Sequence, residues 1–232
     1  MPDVGLLERL AVTASTCTRC PLAEGRTQVV FGVGHPSADL LFGGEGPGRE
    51  EALAGEPFVG RSGKLLDRLM WEELALTRAE CYIANVVKCR PPNNRDPNPD
   101  EIEACRPYLA EQIEIIDPAV IVTLGNFSTK LLRGDPTGIT RLHGQPEVIT
   151  IGRRAVRLYP IYHPAAALYT PRMLQTLRED FQRLPELLAL GPPEQPPPGA
   201  FDEEAEAFEA AGQEIPAELA PQDAQADQLG LF

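Results

Sequence analysis

Several things are scarce in this 232-residue chain, and each scarcity excludes something. No run of 18 apolar residues occurs, so no membrane-spanning helix is expected. The opening segment MPDVGLLERLAV has no basic stretch ahead of an apolar one. No secretory leader is therefore expected, and the reading is cytoplasmic. Cysteine is present five times, at 17, 20, 81, 89 and 105. An odd count without a leader argues against a disulfide framework and for metal ligation. Lysine and arginine are absent from Pro185 onward, where 11 of the 34 acidic residues lie. The net charge of −13 thus belongs mostly to the C-terminal end, and the preceding 184 residues carry 23 acidic against 21 basic groups. The overall charge does not exclude a nucleic-acid partner, but any basic patch must be local. The cations are mostly Arg, which suits bidentate phosphate contacts.

Apolar runs at Ala38–Gly43, Cys81–Val87 and Pro118–Leu124 read as buried strands, and 146–151 with 154–161 as a strand pair turned at Gly152-Arg153. Helices are predicted over 4–14, from a Ser62 cap to about Leu74, over Asp100–Ile116, after an Asn126 cap, and from Thr170-Pro171 to near Leu190. Gly44–Gly63 reads as a Gly-rich loop and Pro91–Pro99 as a polar one. Alternating strands and helices imply an α/β fold, a three-layer α/β/α sandwich around a central, mainly parallel four-stranded sheet. Ligands bind such sheets at the carboxyl ends of strands, which directs attention to the loops after Phe42, Val87 and Ile161. Residues 191–232 are rich in Pro, Glu, Ala and Gln, a composition predicting a disordered tail with a transient helix near 201–212.

Cys17-Thr-Arg-Cys20 is a CxxC pair, followed by Cys89 and Cys105. Four thiolates suit either a tetrahedral zinc site or a [4Fe–4S] cluster, and spacing alone does not choose. Cys81 lies in an apolar strand and reads as a small buried hydrophobe. Asn85, amid Ile83, Ala84, Val86 and Val87, is an amide in a buried strand, costly unless it has partners. Its side chain offers both a donor and an acceptor to a ligand.

Four segments in order, CTRCPLAEGRTQVVFGVG, GEGPG, NVVKCRPPNNRDP and HPA, resemble the family 4 (iron–sulfur) uracil-DNA glycosylases of bacterial type. The resemblance covers nearly all of residues 14–188. It implies a domain over 1–190 with a [4Fe–4S] cluster on Cys17, Cys20, Cys89 and Cys105. It implies a monomeric, monofunctional enzyme that flips uracil out of DNA and hydrolyses its N-glycosidic bond, leaving an abasic site. By position, Glu45 becomes the carboxylate near the sugar, Gly46 lets backbone approach the base, and Glu51 crowds C5 against a thymine methyl. Phe58 becomes the stacking platform and His163 the donor to uracil O2. Arg90 and Arg95 would meet phosphates. Ala166–Arg172 would enter the minor groove, with Leu168 as wedge, Tyr169 as its alternative and Arg172 nearby. His143, where a basic residue is expected, leaves a covalent uracil-DNA binder as a second reading. A zinc-stabilised adaptor without chemistry is a third.

The final residues Gln228, Leu229, Gly230, Leu231 and Phe232 resemble the QLxLF peptide that binds the bacterial sliding clamp. A tether of roughly 40 residues spans about 35–40 Å and would raise the local enzyme concentration on clamped DNA.

Overall fold

Side chains alternate strictly along the strands, so every inner strand feeds two apolar cores. In the computed structural model, which describes residues 4–197, Leu40 and Phe42 face one core while Leu41 faces the other. Ile83 and Tyr82 divide in the same way, as do Val122 and Ile121, and Tyr159 and Leu158. Six strands form one sheet: β1 (Val33–Gly34), β2 (Leu40–Gly44), β3 (Tyr82–Asn85), β4 (Val120–Leu124), β5 (Glu147–Ile151) and β6 (Arg154–Ile161). Their spatial order is β1-β3-β2-β4-β6-β5. The inner four are mutually parallel, and β1 and β5 pair antiparallel at the two edges. The expected four-stranded sheet is thus the parallel centre of a larger one. β1 was absent from the sequence reading because two residues are too few to leave a pattern.

Helices α1 (Val4–Ser15), α2 (Leu22–Gly25), α3 (Arg49–Ala54), α4 (Arg61–Leu74), α5 (Pro99–Ile116), α6 (Asn126–Arg133), α7 (Ile139–Leu142), α8 (Pro171–Gln182) and α9 (Leu184–Ala189) complete the three layers. Leu65, Leu66, Leu69 and Met70 of α4 pack with Leu177 and Phe181 of α8 on one face of the sheet. Leu7 and Leu10 of α1 pack with Tyr108, Leu109 and Ile113 of α5 on the other.

Several local expectations are corrected. Ser62 does not cap α4, because Gly60 holds the N-cap position and Ser62 lies in the first turn. Asn126 likewise follows its cap, Gly125, and its side chain accepts from the Ile139 N–H at 3.0 Å, tying α7 to α6. The single last helix is two, meeting at Arg183, with Pro185 in the first turn of α9. The Gly-rich loop contains α3. Among the described residues, no helix is long and apolar enough to cross a membrane.

The described chain ends in a docked segment. The Gln195 side chain accepts from Ala155 N at 3.1 Å and donates to Ala155 O at 3.0 Å, standing in for a strand residue. Ala155 is at the start of β6, and six residues separate it from Ile161 at the other end, about 20 Å at strand rise. The transient helix expected near 201–212 and the C-terminal peptide lie outside the described residues.

Candidate active site

Strand order reverses about β2, whose neighbours β3 and β4 come next in sequence on opposite sides. A crevice therefore opens at its carboxyl end. There the ends of β2, β3 and β6 deliver Gly44-Glu45, Asn85 and His163 to one cleft of about 230 Å³. Glu45, Gly46, Glu51, Phe58, Asn85, Arg95 and His163, seven residues singled out from sequence, all line it. Ser62 and Asn94 line it too and were not anticipated, Ser62 having been read as a cap.

Asn85 is 1% exposed, and its Oδ1 has no hydrogen-bond partner. The two other buried unpaired side-chain atoms among the described residues belong to guanidinium groups already bonded to carboxylates, Arg133 to Glu147 and Arg154 to Asp117. The orphaned amide oxygen thus stands apart. Such an atom costs about 1–3 kcal/mol unless a ligand supplies a donor. Gly44 makes this arrangement possible. A methyl on it would lie 2.3 Å from Asn85 Oδ1 and 2.6 Å from the Phe58 ring.

Phe58 adopts φ 54°, a left-handed conformation that costs a bulky residue strain. Surrounding contacts enforce it. Arg78 donates to the carbonyls of Pro57 and Phe58 and pairs with Asp67 at 2.9 Å. Gly63 passes so close that a Cβ there would sit 1.7 Å from Phe58 O. The ring faces the cleft 5.6 Å from the His163 imidazole, centroid to centroid.

His163 Nδ1 accepts from the Ala165 N–H at 3.1 Å, which leaves the ring proton on Nε2. Burial holds its pKa down at about 4, despite the opposing pull of Glu51. The imidazole is thus a neutral donor at physiological pH. Glu45 moves the other way. Burial, helped by Asp96, raises its carboxyl to about 7. Glu51 is held by the chain it faces: its Oε1 accepts from Val59 N at 3.1 Å and Gly60 N at 2.9 Å.

At the rim, Arg90 is half-buried and donates to Asn94 at 2.6 Å. Arg95 is committed elsewhere. Its guanidinium forms a bidentate pair with the buried Glu101, at 2.6 and 2.8 Å, so it latches the 91–98 loop to the start of α5 rather than standing ready for a phosphate. Leu168 is half-buried against the core, whereas Tyr169 is exposed under the Arg61 guanidinium, 4.9 Å from its ring. Arg172 is exposed in the first turn of α8. His143 does not line the cleft. Its Nδ1 lies 3.2 Å from Asp180, and its ring packs 4.6 Å from Tyr162.

On the opposite face of β3, Cys17, Cys20, Cys89 and Cys105 line one small cavity of about 20 Å³, with Arg26, Lys88 and Tyr108 among its other walls. Arg26 reaches Cys89 Sγ at 3.8 Å, and the Lys88 N–H donates to Cys105 Sγ at 3.2 Å. Burial raises the Cys105 thiol to about 11 and pushes Cys89 up as well, while Arg26 opposes the shift at Cys89. Among the described residues no three Cys, His or carboxylate side chains gather as a single ion requires. Four thiols lining one cavity could hold a metal centre if drawn together on it. Cys81 is outside this set, buried in the other core, with its thiol raised to about 12 by burial.

Residues 31–186 match the model of the uracil DNA glycosylase superfamily. The chain is 47% identical over 185 residues to a type-4 uracil-DNA glycosylase of Sulfurisphaera tokodaii, covering 78% of this chain and 84% of that protein. A type-4 uracil-DNA glycosylase of Saccharolobus solfataricus is 44% identical, with 80% and 88% covered. One of Archaeoglobus fulgidus is also 44% identical, with 74% and 88% covered. With its cleft at the β2 switch point and its four-cysteine cavity behind β3, the chain belongs to the uracil DNA glycosylase superfamily, alongside its type-4 members.

Proposed function

We propose that this chain releases uracil from DNA by hydrolysing the N-glycosidic bond, as a monofunctional, monomeric enzyme that leaves an abasic site. The observation that carries this reading is the buried, unpaired Oδ1 of Asn85, a residue that lines the cleft together with a neutral imidazole donor. Uracil N3–H supplies the missing donor, and the Asn85 amide N–H₂ then meets O4. Cytosine brings an acceptor at N3 and an amino group at the neighbouring position, leaving both amide atoms unpaired.

The flipped base stacks on Phe58, and His163 Nε2–H donates to O2 as the C1′–N1 bond breaks and negative charge moves onto the base. Ionised Glu45 orients water towards C1′ or offsets the cationic sugar. Glu51, held by two backbone N–H groups, crowds C5 so that thymine's methyl is refused. Gly46 lets backbone approach the base, and Arg90, Leu168, Tyr169 and Arg172 contact DNA at the rim. Tyr169 is the better placed of the two wedge candidates, since it is the exposed one.

The test is multiple-turnover base release from a duplex containing one uracil, against matched cytosine and thymine duplexes. Many equivalents of uracil per enzyme support the reading, and none or a single equivalent overturns it. The reading of His143 as a covalent trap gains nothing from its pairing with Asp180 outside the cleft lining. The pH profile checks the role of Glu45. kcat/KM should rise with pH through about 7 as the carboxyl ionises, and Glu45→Gln should be slow and flat across that range. His163, with its pKa near 4, adds no limb there.

Cys17, Cys20, Cys89 and Cys105 would hold a [4Fe–4S] cluster. When bound it cross-links the 16–26 loop, the Lys88–Cys89 segment and α5, with no redox step in base release. Purified protein should absorb broadly near about 400 nm, and Cys105→Ala should lose that band and about 10 °C or more of Tm. Zinc by elemental analysis in place of iron would reverse this assignment.

For the C-terminal Gln228, Leu229, Leu231 and Phe232 we infer a sliding-clamp contact. The likeness of these residues to the QLxLF peptide supports it. Deleting 227–232 should abolish clamp binding in a pull-down and leave rates on short oligonucleotides unchanged.

A further inference from the structure

Behind the cleft lies a buried cation that the reaction does not use directly. Lys88 is 1% exposed. Its ammonium donates to the backbone carbonyl of Asn85 at 2.7 Å and to Gln112 Oε1, and it lies 5.8 Å from the Phe31 ring centroid. Gln112, fully buried on α5, in turn donates to Tyr82 OH at 3.1 Å and Phe31 O at 3.0 Å. Burying an ammonium is expensive, and a Met of similar length would fill the same space without a charge. Lys88 also lines the cysteine cavity, but its ammonium hydrogen bonds go to Asn85 and Gln112.

The first of these acceptors suggests a role. The peptide linking Asn85 to Val86 is pinned at both ends: the carbonyl by Lys88, and the Val86 N–H by Gly44 O at 2.9 Å. Fixing that plane fixes the backbone of Asn85 and hence the direction of its Cα–Cβ bond. The side-chain oxygen has no hydrogen bond of its own to hold it. Its aim is set by the backbone behind it and by the close approach of Gly44 and Phe58.

We propose that Lys88, supported by Gln112, is a positioning residue that aims the Asn85 amide at the base. This rests on the reading of Asn85 given above. A group that acts through Asn85 matters only while Asn85 is present, so a double-mutant cycle decides it. Single-turnover uracil release should fall by about 10–100-fold in Lys88→Met, but by less than about threefold when Lys88→Met is added to Asn85→Ala. Gln112→Leu, which keeps the cation and removes one of its acceptors, should show a smaller loss of about fivefold that likewise vanishes in the Asn85→Ala background. It decides the matter alone if Lys88→Met does not fold. Equal losses in both backgrounds, or none in either, overturn the proposal. An Asn85→Ala single variant with wild-type rates would instead overturn the reading of the pocket, a result separable from failure of the cycle.

Discussion

His163→Ala should lower the single-turnover rate of uracil release by about 10²–10³-fold while barely changing substrate affinity. The argument starts from a proton. Because Ala165 N–H donates to Nδ1, the ring must carry its own proton on Nε2. Burial keeps the second proton off until the pH falls to about 4. A neutral imidazole gains most as charge grows on the departing base, since it interacts weakly with neutral uracil and strongly with its anion. That difference between ground and transition states appears in the rate, not in binding. Rapid-quench kinetics with saturating enzyme separates the two. A loss below about threefold would show that the donor is elsewhere. A second consequence is visible in stability. The folded state binds the His163 proton less readily than the unfolded chain, whose His titrates near 6.5. The group's penalty is therefore absent above about pH 6.5 and grows as pH falls towards about 4. His163→Ala should show a shallower loss of Tm over that interval than the native chain.

How much of this was legible beforehand depends on how local each signal was. The inner strands and the α5 stripe of Ile102, Cys105, Leu109 and Ile113 could be read because burial on a fixed period leaves a pattern in the chain itself. Helix α3 was missed because Arg-Glu-Glu-Ala-Leu-Ala is a short helix-former enclosed by glycines, and its termination at Gly55 (φ 79°) looks like any loop residue. Ser62 and Asn126 were read as caps by residue type, but glycines with extended or positive-φ geometry took both positions. Asn98 and Glu101 form a capping box that starts α5, and the same Glu101 captures Arg95. The resemblance made Arg95 a phosphate contact, whereas a buried acid six residues away pairs it to the start of α5.

In the site, Asn85 was the residue whose chemistry spoke for itself, because a buried amide in an apolar strand demands partners. Phe58 and Glu51 carried no such signal. One depends on a left-handed backbone imposed by Arg78, and the other on bonds to Val59 and Gly60 that only the folded loop creates. Those two, with Glu45 and His163, were reached through the family resemblance. Lys88 escaped notice because its partner Gln112 is 24 residues away on α5.

The second large effect is expected at Asn85, and it separates activity from stability. Asn85→Ala should cut uracil release by about 10²–10³-fold, since the base would lose both edge contacts and leave its own N3–H and O4 unpaired in a dry pocket. Yet Tm should stay within about 3 °C of the native value. Removing the orphaned Oδ1 relieves a buried acceptor worth about 1–3 kcal/mol, which offsets the lost packing of a small side chain. An amide kept for the fold would behave otherwise, with a large drop in Tm and an activity loss that merely follows unfolding. Calorimetry and base release on the same preparation distinguish the two cases. Free uracil adds a third measurement: it should raise the Tm of the native chain, because it supplies the donor that Oδ1 lacks, and leave that of Asn85→Ala unmoved. An Asn85→Ala variant that still responds to uracil would mean that the base is read by other groups.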